Sequence, residues 1–221
     1  HFYGNITVVT LLNDKGCEGN LNDALVDSMN RVREHPSFDQ NKKLELVKFN
    51  LNKICGYRYE ESIHLLVTAT DVMATEGSML VVQNNQLVSL QGGYFRTNCK
   101  DSLDRTNIAQ SYFGIRALQT QLTELGFTSG TASKMAHYTK MEWADHGNNL
   151  SRQYSGTNAM RYDRVRGGSG WLVTTLGAAN DFFNALTRYY NNHYEDGRSQ
   201  DILSALLGAV NFSHVPQGSF V

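Results

Sequence analysis

The chain has 221 residues, enough for one large domain or two small ones. Apolar residues make up 41% of the chain and aromatic residues 10%, so it can build a sizeable core and is not a disordered protein. The 20 basic and 21 acidic residues leave a net charge of −1, which argues against general nucleic-acid binding because such proteins carry a large basic excess.

The apolar runs and the cysteines exclude further classes of protein. The longest apolar runs, such as residues 6–12, are far too short to span a membrane. The three cysteines, Cys17, Cys55 and Cys99, are too few for a disulfide scaffold, which favours a reducing compartment. They also lack the close paired spacing of a zinc site, so we expect no metal and no other cofactor.

The N-terminal part of the sequence predicts a strand, a helix and a second strand. Residues 3–12 form a nearly continuous apolar strand of the kind that is buried on both faces. A helix with Asn20 as its N-cap follows, and residues 44–51 form the second strand. Such a unit implies a parallel pair of strands. The apolar stripe of the helix consists of Leu21, Leu25, Met29 and Val32.

The rest of the sequence predicts one hairpin and several helices. Residues 60–75 are compatible with a helix, and the runs 79–82 and 87–90 predict a hairpin. A long helix has its apolar face from Ile108 to Leu125 and ends at Gly126. The remainder is mainly helical, with one stripe through Phe182, Leu186 and Tyr190. We predict an α/β fold with a central mixed, largely parallel sheet flanked by helices.

Cys99 and Arg105 are separated by five residues, between a strand-like segment and the long helix. A loop that enters a helix points backbone N–H groups at one place and forms an anion site, which the helix dipole strengthens. The same field stabilises a thiolate, and an arginine can hold two phosphate oxygens. The pattern predicts attack of Cys99 on phosphorus and a phosphocysteine intermediate. The competing interpretation of Cys99 is a small buried core residue.

The residues around Cys99 resemble the signature of a known family. Residues 96–107 read R-T-N-C-K-D-S-L-D-R-T-N, and the Sac-domain phosphoinositide phosphatases usually show R-T-N-C-x-D-C-L-D-R-T-N. Segments 143–148 and 151–159 are also similar to that family, and the resemblance covers about residues 1–208. It implies that residues 1–221 are the catalytic part of a Sac-like domain with a cysteine-phosphatase-like CX5R loop, and that the N-terminal Sac subdomain is absent from this chain.

The resemblance implies a role for each residue of the loop. Cys99 is the expected nucleophile, Arg105 the phosphate clamp and Asp101 the acid that protonates the leaving headgroup. For Asp104 the sequence leaves open a pairing with loop or helix N–H groups, and for Lys100 a solvent-facing position. The expected substrate contacts are Arg96, Lys100, Ser102, Leu103 and Asp104.

Three positions depart from the family pattern. Two further residues are weaker candidates for the acid. Ser102 stands where the family has cysteine, Lys100 where it more often has an apolar residue, and Asn148 where it tends to have aspartate. Asp145 and His146 are outside candidates for the acid, since a separate loop could fold over the site, and the favoured interpretation of the two is a helix-end carboxylate and an ordinary surface histidine.

The implied reaction is hydrolysis of a phosphate monoester on the inositol ring of a phosphoinositide, in lipid metabolism and membrane trafficking. The expected partner is a phosphoinositide at a membrane surface, with a missing N-terminal subdomain or a regulatory protein as a further partner. The expected location is cytoplasmic, peripheral on the cytosolic face of membranes, and a bacterial effector delivered to a host cell fits as well. The basic stretch 152–166 is either a contact for anionic groups or a solvated face.

Two alternative functions stay open at this point. One is a protein tyrosine or dual-specificity phosphatase that uses the same loop chemistry. The other is a catalytically weak pseudo-phosphatase that binds phosphoinositides.

Overall fold

The structure is a computed structural model that describes residues 4–55, 63–66, 81–83, 86–89, 92–160, 162, 171–191, 204 and 207–208. Its main elements are listed here in chain order: β1 (Asn5–Thr10), α1 (Gly16–Glu34), β2 (Leu44–Lys48), α2 (Leu51–Cys55), β3 (Val81–Gln83), β4 (Gln86–Ser89), β5 (Gly93–Asn98), α3 (Asp104–Glu124), α4 (Ser129–Ser155) and α5 (Trp171–Tyr190).

A parallel three-stranded sheet in the order β2-β1-β5 organises the fold. Val8 of β1 lies opposite Leu46 of β2 on one side and opposite Arg96 of β5 on the other. Strands β3 and β4 form a separate antiparallel hairpin. The predicted α/β class, the parallel strand–helix–strand unit and the hairpin are confirmed.

The central strand is buried on both faces, as its apolar run predicts. Residues Thr7, Val8, Val9 and Thr10 are all buried, and Val9 and Leu11 join the main core with Leu51, Ile63, Leu66, Cys99, Ile108 and Ala109. Because parallel strands end at the same edge of a sheet, the segments that follow β1 and β5 lie side by side. The backbone N–H of Leu11 donates to the carbonyl of Asn98 at 2.9 Å, which joins these two segments directly.

Helix α1 begins four residues before the predicted N-cap. Lys15 occupies the N-cap position without a side-chain hydrogen bond, and Asn20 lies inside the helix, so its assignment as N-cap is wrong. Gly19 allows this early start because a Cβ there would lie 2.9 Å from the carbonyl oxygen of Asp14.

The apolar stripe predicted for α1 is also partly wrong. Leu21 and Val32 are each 49% exposed, whereas Met29 is buried. The helix instead turns the polar Asn22 inward, where it accepts a hydrogen bond from the hydroxyl of Thr10 at 2.7 Å and donates to the carbonyl of Asn13 at 3.2 Å. Hydrogen bonds to the end of β1 therefore set the orientation of this helix.

Strand β2 is shorter than predicted, because the chain turns into a helix at its end. The N–H of Phe49 still donates to Thr10, but Asn50 then accepts a hydrogen bond from the N–H of Lys53 at 3.1 Å, as an N-cap does. Leu51 therefore opens α2 and is not part of the strand.

Helices α3 and α4 pack against each other through two glycines. Gly114 of α3 lies where a Cβ would come within 2.8 Å of the Trp143 indole nitrogen, and Gly147 of α4 lies against the side chain of Asn107. The amide of Asn107 donates to the carbonyl of Trp143 at 3.0 Å. Helix α3 ends just before Gly126, which has a φ of +80°, as predicted.

Several predicted features lie outside the described residues. They are most of the helix at 60–75, the glycine-rich stretch 167–170, and Arg161, Arg164 and Arg166 of the basic stretch. The C-terminal part is helical where it is described, in α4 and α5. None of the described helices is long and apolar enough to cross a membrane.

The contact between Gly147 and Asn107 predicts a stability cost for a single added methyl group. Gly147→Ala is expected to lower the free energy of unfolding by about 1–3 kcal/mol, because the new Cβ overlaps the Asn107 amide in a packed interface. Gly130→Ala in the same helix is the control, since the nearest atom to its Cβ is 4.0 Å away. Urea denaturation of both variants measures the difference, and equal stability of the two would contradict the packing described here.

Candidate active site

The turn between β5 and α3 carries the predicted nucleophile. Residues 99–103 connect Asn98, where β5 ends, to Asp104, where α3 begins. Cys99 is only 7% exposed and packs in the core with Val9, Leu11 and Ile108. Ser102 has a φ of +55°, and no other described residue except glycine has a positive φ. The turn is therefore tight and locally strained.

The predicted nucleophile and the predicted acid are in contact. The Cys99 thiol donates a hydrogen bond to Oδ1 of Asp101 at 3.3 Å, and the backbone N–H of Leu103 donates to the same oxygen at 3.2 Å. The Asp101 carboxylate is thus folded back over the turn and accepts hydrogen bonds from the Cys99 thiol and from the backbone. The side chains of Lys100, Asp101 and Ser102 are exposed.

Arg105 lies in the first turn of α3 and is paired with Glu18 of α1. Its Nη1 and Nη2 donate to Oε2 and Oε1 of Glu18 at 2.9 and 2.8 Å, and Nη1 also donates to the carbonyl of Leu11 at 3.2 Å. The side chains are 15% and 16% exposed. Glu18 was not predicted as a site residue. The available signal was an acidic residue within the segment that resembles the family, about residues 1–208.

The Glu18–Arg105 pair keeps both groups charged. The hydrogen bonds from Arg105 lower the pKa of Glu18 below its ordinary value, against the opposing effect of burial. The hydrogen bonds to Glu18 raise the pKa of Arg105, and the nearby Cys99 and Asp101 act in the same direction. Lys100 also lowers the pKa of Glu18, so its charge is felt at this pair although its side chain is exposed.

Asp104 is paired with Arg188 of α5 in a buried network. Its Oδ2 accepts a hydrogen bond from Nη1 of Arg188 at 2.5 Å, and its Oδ1 accepts one from the backbone N–H of Met160 at 2.7 Å. Both carboxylate oxygens are thus engaged by protein groups, as the alternative interpretation of Asp104 expects, although with different donors. Its role as a substrate contact stays a prediction.

Arg188 is a second residue, after Glu18, that was not predicted from the sequence. It is only 8% exposed, and it also donates to the hydroxyl of Thr157 at 2.8 Å, the hydroxyl of Ser151 at 2.6 Å and the carbonyl of Asn158 at 3.1 Å. One guanidinium therefore ties α5 to α4, to the segment after α4 and to the start of α3. A single arginine beside aromatic residues in a strongly apolar helix was the available signal.

A cavity of about 350 Å³ lies beside the turn. Its lining residues come from distant parts of the chain: Glu18, Asn52, Asp101, Asp104, Arg105, Ile108, Met160 and Asp181. This volume is within the usual range for small-molecule sites. Of the predicted site residues, Asp101, Asp104 and Arg105 line the cavity. Cys99, Arg96, Lys100, Ser102 and Leu103 do not.

The outside candidates for the acid belong to a helix. Asp145 and His146 lie in the middle of α4, so the expectation of a separate loop is wrong. Asp145 accepts a hydrogen bond from the Tyr162 hydroxyl at 2.5 Å, and the His146 ring packs edge-on against Trp143 at 5.7 Å. Asn148 accepts a hydrogen bond from the N–H of Ala159 at 3.0 Å, which a carboxylate would accept equally well. Among the described residues, no group of His, Cys, Asp and Glu is arranged to hold a metal ion.

Removing Arg188 is expected to destabilise the protein strongly. Arg188→Met leaves the buried Asp104 carboxylate without its cation, so the free energy of unfolding should fall by about 3–5 kcal/mol. The double variant Asp104→Asn/Arg188→Met should recover part of this loss. Arg152→Met, at an exposed position of α4, is the control. A loss for Arg188→Met as small as that of the control in chemical denaturation would contradict the buried pair.

The lowered pKa of Glu18 predicts a pH-dependent contribution to stability. A carboxyl whose pKa falls on folding stabilises the native state above its unfolded value, here 4.5, and loses this contribution as the pH drops through the lower folded value. The stability difference between the wild type and Glu18→Gln should therefore be largest near neutral pH and shrink below about pH 4.5. Urea denaturation over a pH series measures it, and a difference that does not change with pH would refute the charged pair.

Comparison with known proteins identifies relatives over nearly the whole chain. No family model matches the sequence. The chain is 34% identical over 212 residues to phosphoinositide phosphatase SAC6 of Arabidopsis thaliana, and 32% identical over 212 residues to phosphatidylinositol-3-phosphatase SAC1-A of Danio rerio. It is 36% identical over 217 residues to phosphatidylinositol-3-phosphatase SAC1 of Drosophila melanogaster.

Each of these alignments covers 93% of this chain and 34% of the relative, so the chain spans about a third of the length of the curated relatives it matches. The resemblance expected from the signature around Cys99 is confirmed. The chain is a relative of the Sac-domain phosphoinositide phosphatases.

Proposed function

We propose that this chain is the catalytic part of a phosphoinositide phosphatase that removes a phosphate from the inositol ring through a phosphocysteine on Cys99. The relatives are named as phosphoinositide phosphatases, and two of those compared above as phosphatidylinositol-3-phosphatases. The observation that carries the proposal is the position of Arg105. Its guanidinium borders the cavity, and Arg105 lies in the first turn of α3, at the positive end of the helix and two residues after the turn that carries the Cys99 thiol.

The first chemical step is attack of the Cys99 sulfur on phosphorus. The thiol proton passes to the Asp101 carboxylate along their hydrogen bond, which leaves a thiolate and a protonated acid. The P–S bond forms while the bond from phosphorus to the ring oxygen breaks, and Asp101 gives its proton to that leaving oxygen. Such a donor contributes about 10²–10⁴-fold to the rate.

The second step is hydrolysis of the phosphocysteine. Water attacks the phosphorus, and its proton goes to the Asp101 carboxylate. The P–S bond breaks, which releases inorganic phosphate and leaves Cys99 as a thiolate. The thiolate takes the proton back from Asp101, which restores the starting state. In both steps Arg105 and the backbone N–H groups of residues 100–105 balance the charge on the phosphate oxygens, and the Leu103 N–H takes part once it has left Asp101.

The substrate is a lipid headgroup that reaches the cavity from a membrane surface. Lys100 is an exposed residue of the turn and is the candidate cation for a second ring phosphate. Asn52, Met160 and Asp181 form walls of the cavity that face the ring. Arg96, Ser102 and Leu103 keep their predicted role as substrate contacts, although none of them lines the cavity.

One observation favours the binding-only alternative. Cys99 is buried and is not part of the cavity lining, so a lipid phosphate at Arg105 reaches the sulfur only after the turn rearranges. A protein that binds the headgroup without turnover would show the same Arg105 and the same buried thiol. Phosphate release separates the two functions.

The proposed function is tested by phosphate release from vesicles that contain each phosphoinositide in turn. The wild type should release phosphate from at least one of them, and Cys99→Ser should reduce the release to background because a hydroxyl is a far poorer nucleophile at neutral pH. Cys17→Ser is the matched control, since Cys17 is exposed on α1 and outside the turn. Lys100→Met should change the order of preference among the lipids.

Three outcomes would contradict the proposal. Wild-type release in Cys99→Ser would exclude the phosphocysteine. Release from phosphotyrosine peptides but from none of the vesicles would favour a protein phosphatase. Headgroup binding without any release would favour the pseudo-phosphatase.

A further inference from the structure

Glu18 holds Arg105 through two hydrogen bonds, and it is itself held in place. Its Oε2 accepts the backbone N–H of Asn13 at 2.7 Å as well as Nη1 of Arg105 at 2.9 Å. Asn13 is three residues beyond the end of β1 and two residues after Leu11, whose carbonyl also accepts from Nη1. The carboxylate and the carbonyl thus form one rigid acceptor surface built on the central strand.

The contacts account for three of the five N–H groups of the Arg105 guanidinium. Both N–H groups of Nη1 and one of Nη2 point to Glu18 and Leu11. Among the described residues, no acceptor lies on the Nε–H or on the second N–H of Nη2. These two N–H groups are parallel and share one edge of the guanidinium, and such an edge binds two oxygens of a phosphate.

We propose that Glu18 is a positioning residue that keeps the Nε–Nη2 edge of Arg105 directed to the substrate phosphate; the inference rests on the proposed phosphatase function. Glu18 occupies the end of the guanidinium and leaves the side edge open. It does not touch the reacting atoms and acts through Arg105. A long arginine side chain without this partner samples several rotamers, and each of them moves the edge away from its place.

The opposite role for Glu18 has an opposite consequence. If Glu18 sequestered Arg105 from the substrate, its removal would free the guanidinium and raise both phosphate affinity and turnover. If Glu18 positions Arg105, its removal lowers both, although it also removes a negative charge from the cavity. The sign of the effect therefore decides between the two roles.

The first experiment measures kcat and KM on vesicles with the best phosphoinositide. Glu18→Gln should lower kcat/KM by about 10²-fold, the size expected when a catalytic group is misplaced by about 1 Å. Glu18→Asp, which keeps the charge on a shorter side chain, should lose less. Asp27→Asn is the control, because Asp27 is an exposed acid of the same helix. Thermal melting near neutral pH shows whether each variant is folded, and Glu18→Asp replaces Glu18→Gln if the latter is not.

The second experiment repeats Glu18→Gln in an Arg105→Lys background. Because Glu18 acts through the arginine, the added loss in kcat/KM should be less than about 2-fold. A purely structural role for Glu18 would give the same loss in both backgrounds. Equal losses, an unchanged rate or a gain in rate for Glu18→Gln would each overturn the proposal.

The third experiment does not depend on turnover. Calorimetric titration of inorganic phosphate into Cys99→Ser should show an affinity about 10-fold higher than into Cys99→Ser/Glu18→Gln, which is a difference of about 1.4 kcal/mol. If the wild type releases no phosphate from any lipid but this difference is found, the proposed reaction fails and the positioning role of Glu18 stands. Equal affinities in the two proteins would overturn that role.

Discussion

Two ion pairs at successive residues hold the start of α3. Asp104 pairs with Arg188 near the C-terminal end of α5, and Arg105 pairs with Glu18 in the first turn of α1. Because the two neighbours carry opposite charges, each selects a different partner, and the first turn of α3 is fixed from both sides. The cavity lies between these two pairs and takes its walls from both. The position of the N-terminal end of α3, the proposed anion site, therefore depends on residues more than 80 positions away in each direction.

The cavity is lined by more acids than cations, which is unusual for the proposed phosphate site, and pairing accounts for three of its four acids. Its lining includes Glu18, Asp101, Asp104 and Asp181 beside Arg105. Arg105 neutralises Glu18, Arg188 neutralises Asp104, and the Cys99 thiol donates to Asp101. Each of these three acids thus has a defined partner, and Asp101 is the one that has no cation among its hydrogen-bond donors, which are the Cys99 thiol and the Leu103 N–H. This arrangement supports the proposed role of Asp101 as the acid.

The sequence predicts the strands, the hairpin, the long helix and the turn with Cys99 and Arg105, because those features depend on local patterns. Hydrophobic run length and turn residues predict β1 and the end of α3 without reference to partners. The orientation of α1 could not be predicted, since the buried Asn22 overrides the apolar stripe through Thr10 and Asn13. Glu18 and Arg188 were missed for the same reason: their importance comes from partners 87 and 84 residues away. No local spacing encodes such pairs.

The proposed mechanism depends most on a covalent bond between the Cys99 sulfur and phosphorus. Rapid acid quenching of the protein during turnover of a labelled phosphoinositide, followed by mass spectrometry of the peptide that contains Cys99, detects that bond directly. The phosphocysteine mechanism predicts a transient phosphate on Cys99 that appears before inorganic phosphate and is absent from Cys17 and Cys55. Steady release of phosphate with no label on Cys99 at any time, or with label on another residue, would contradict it.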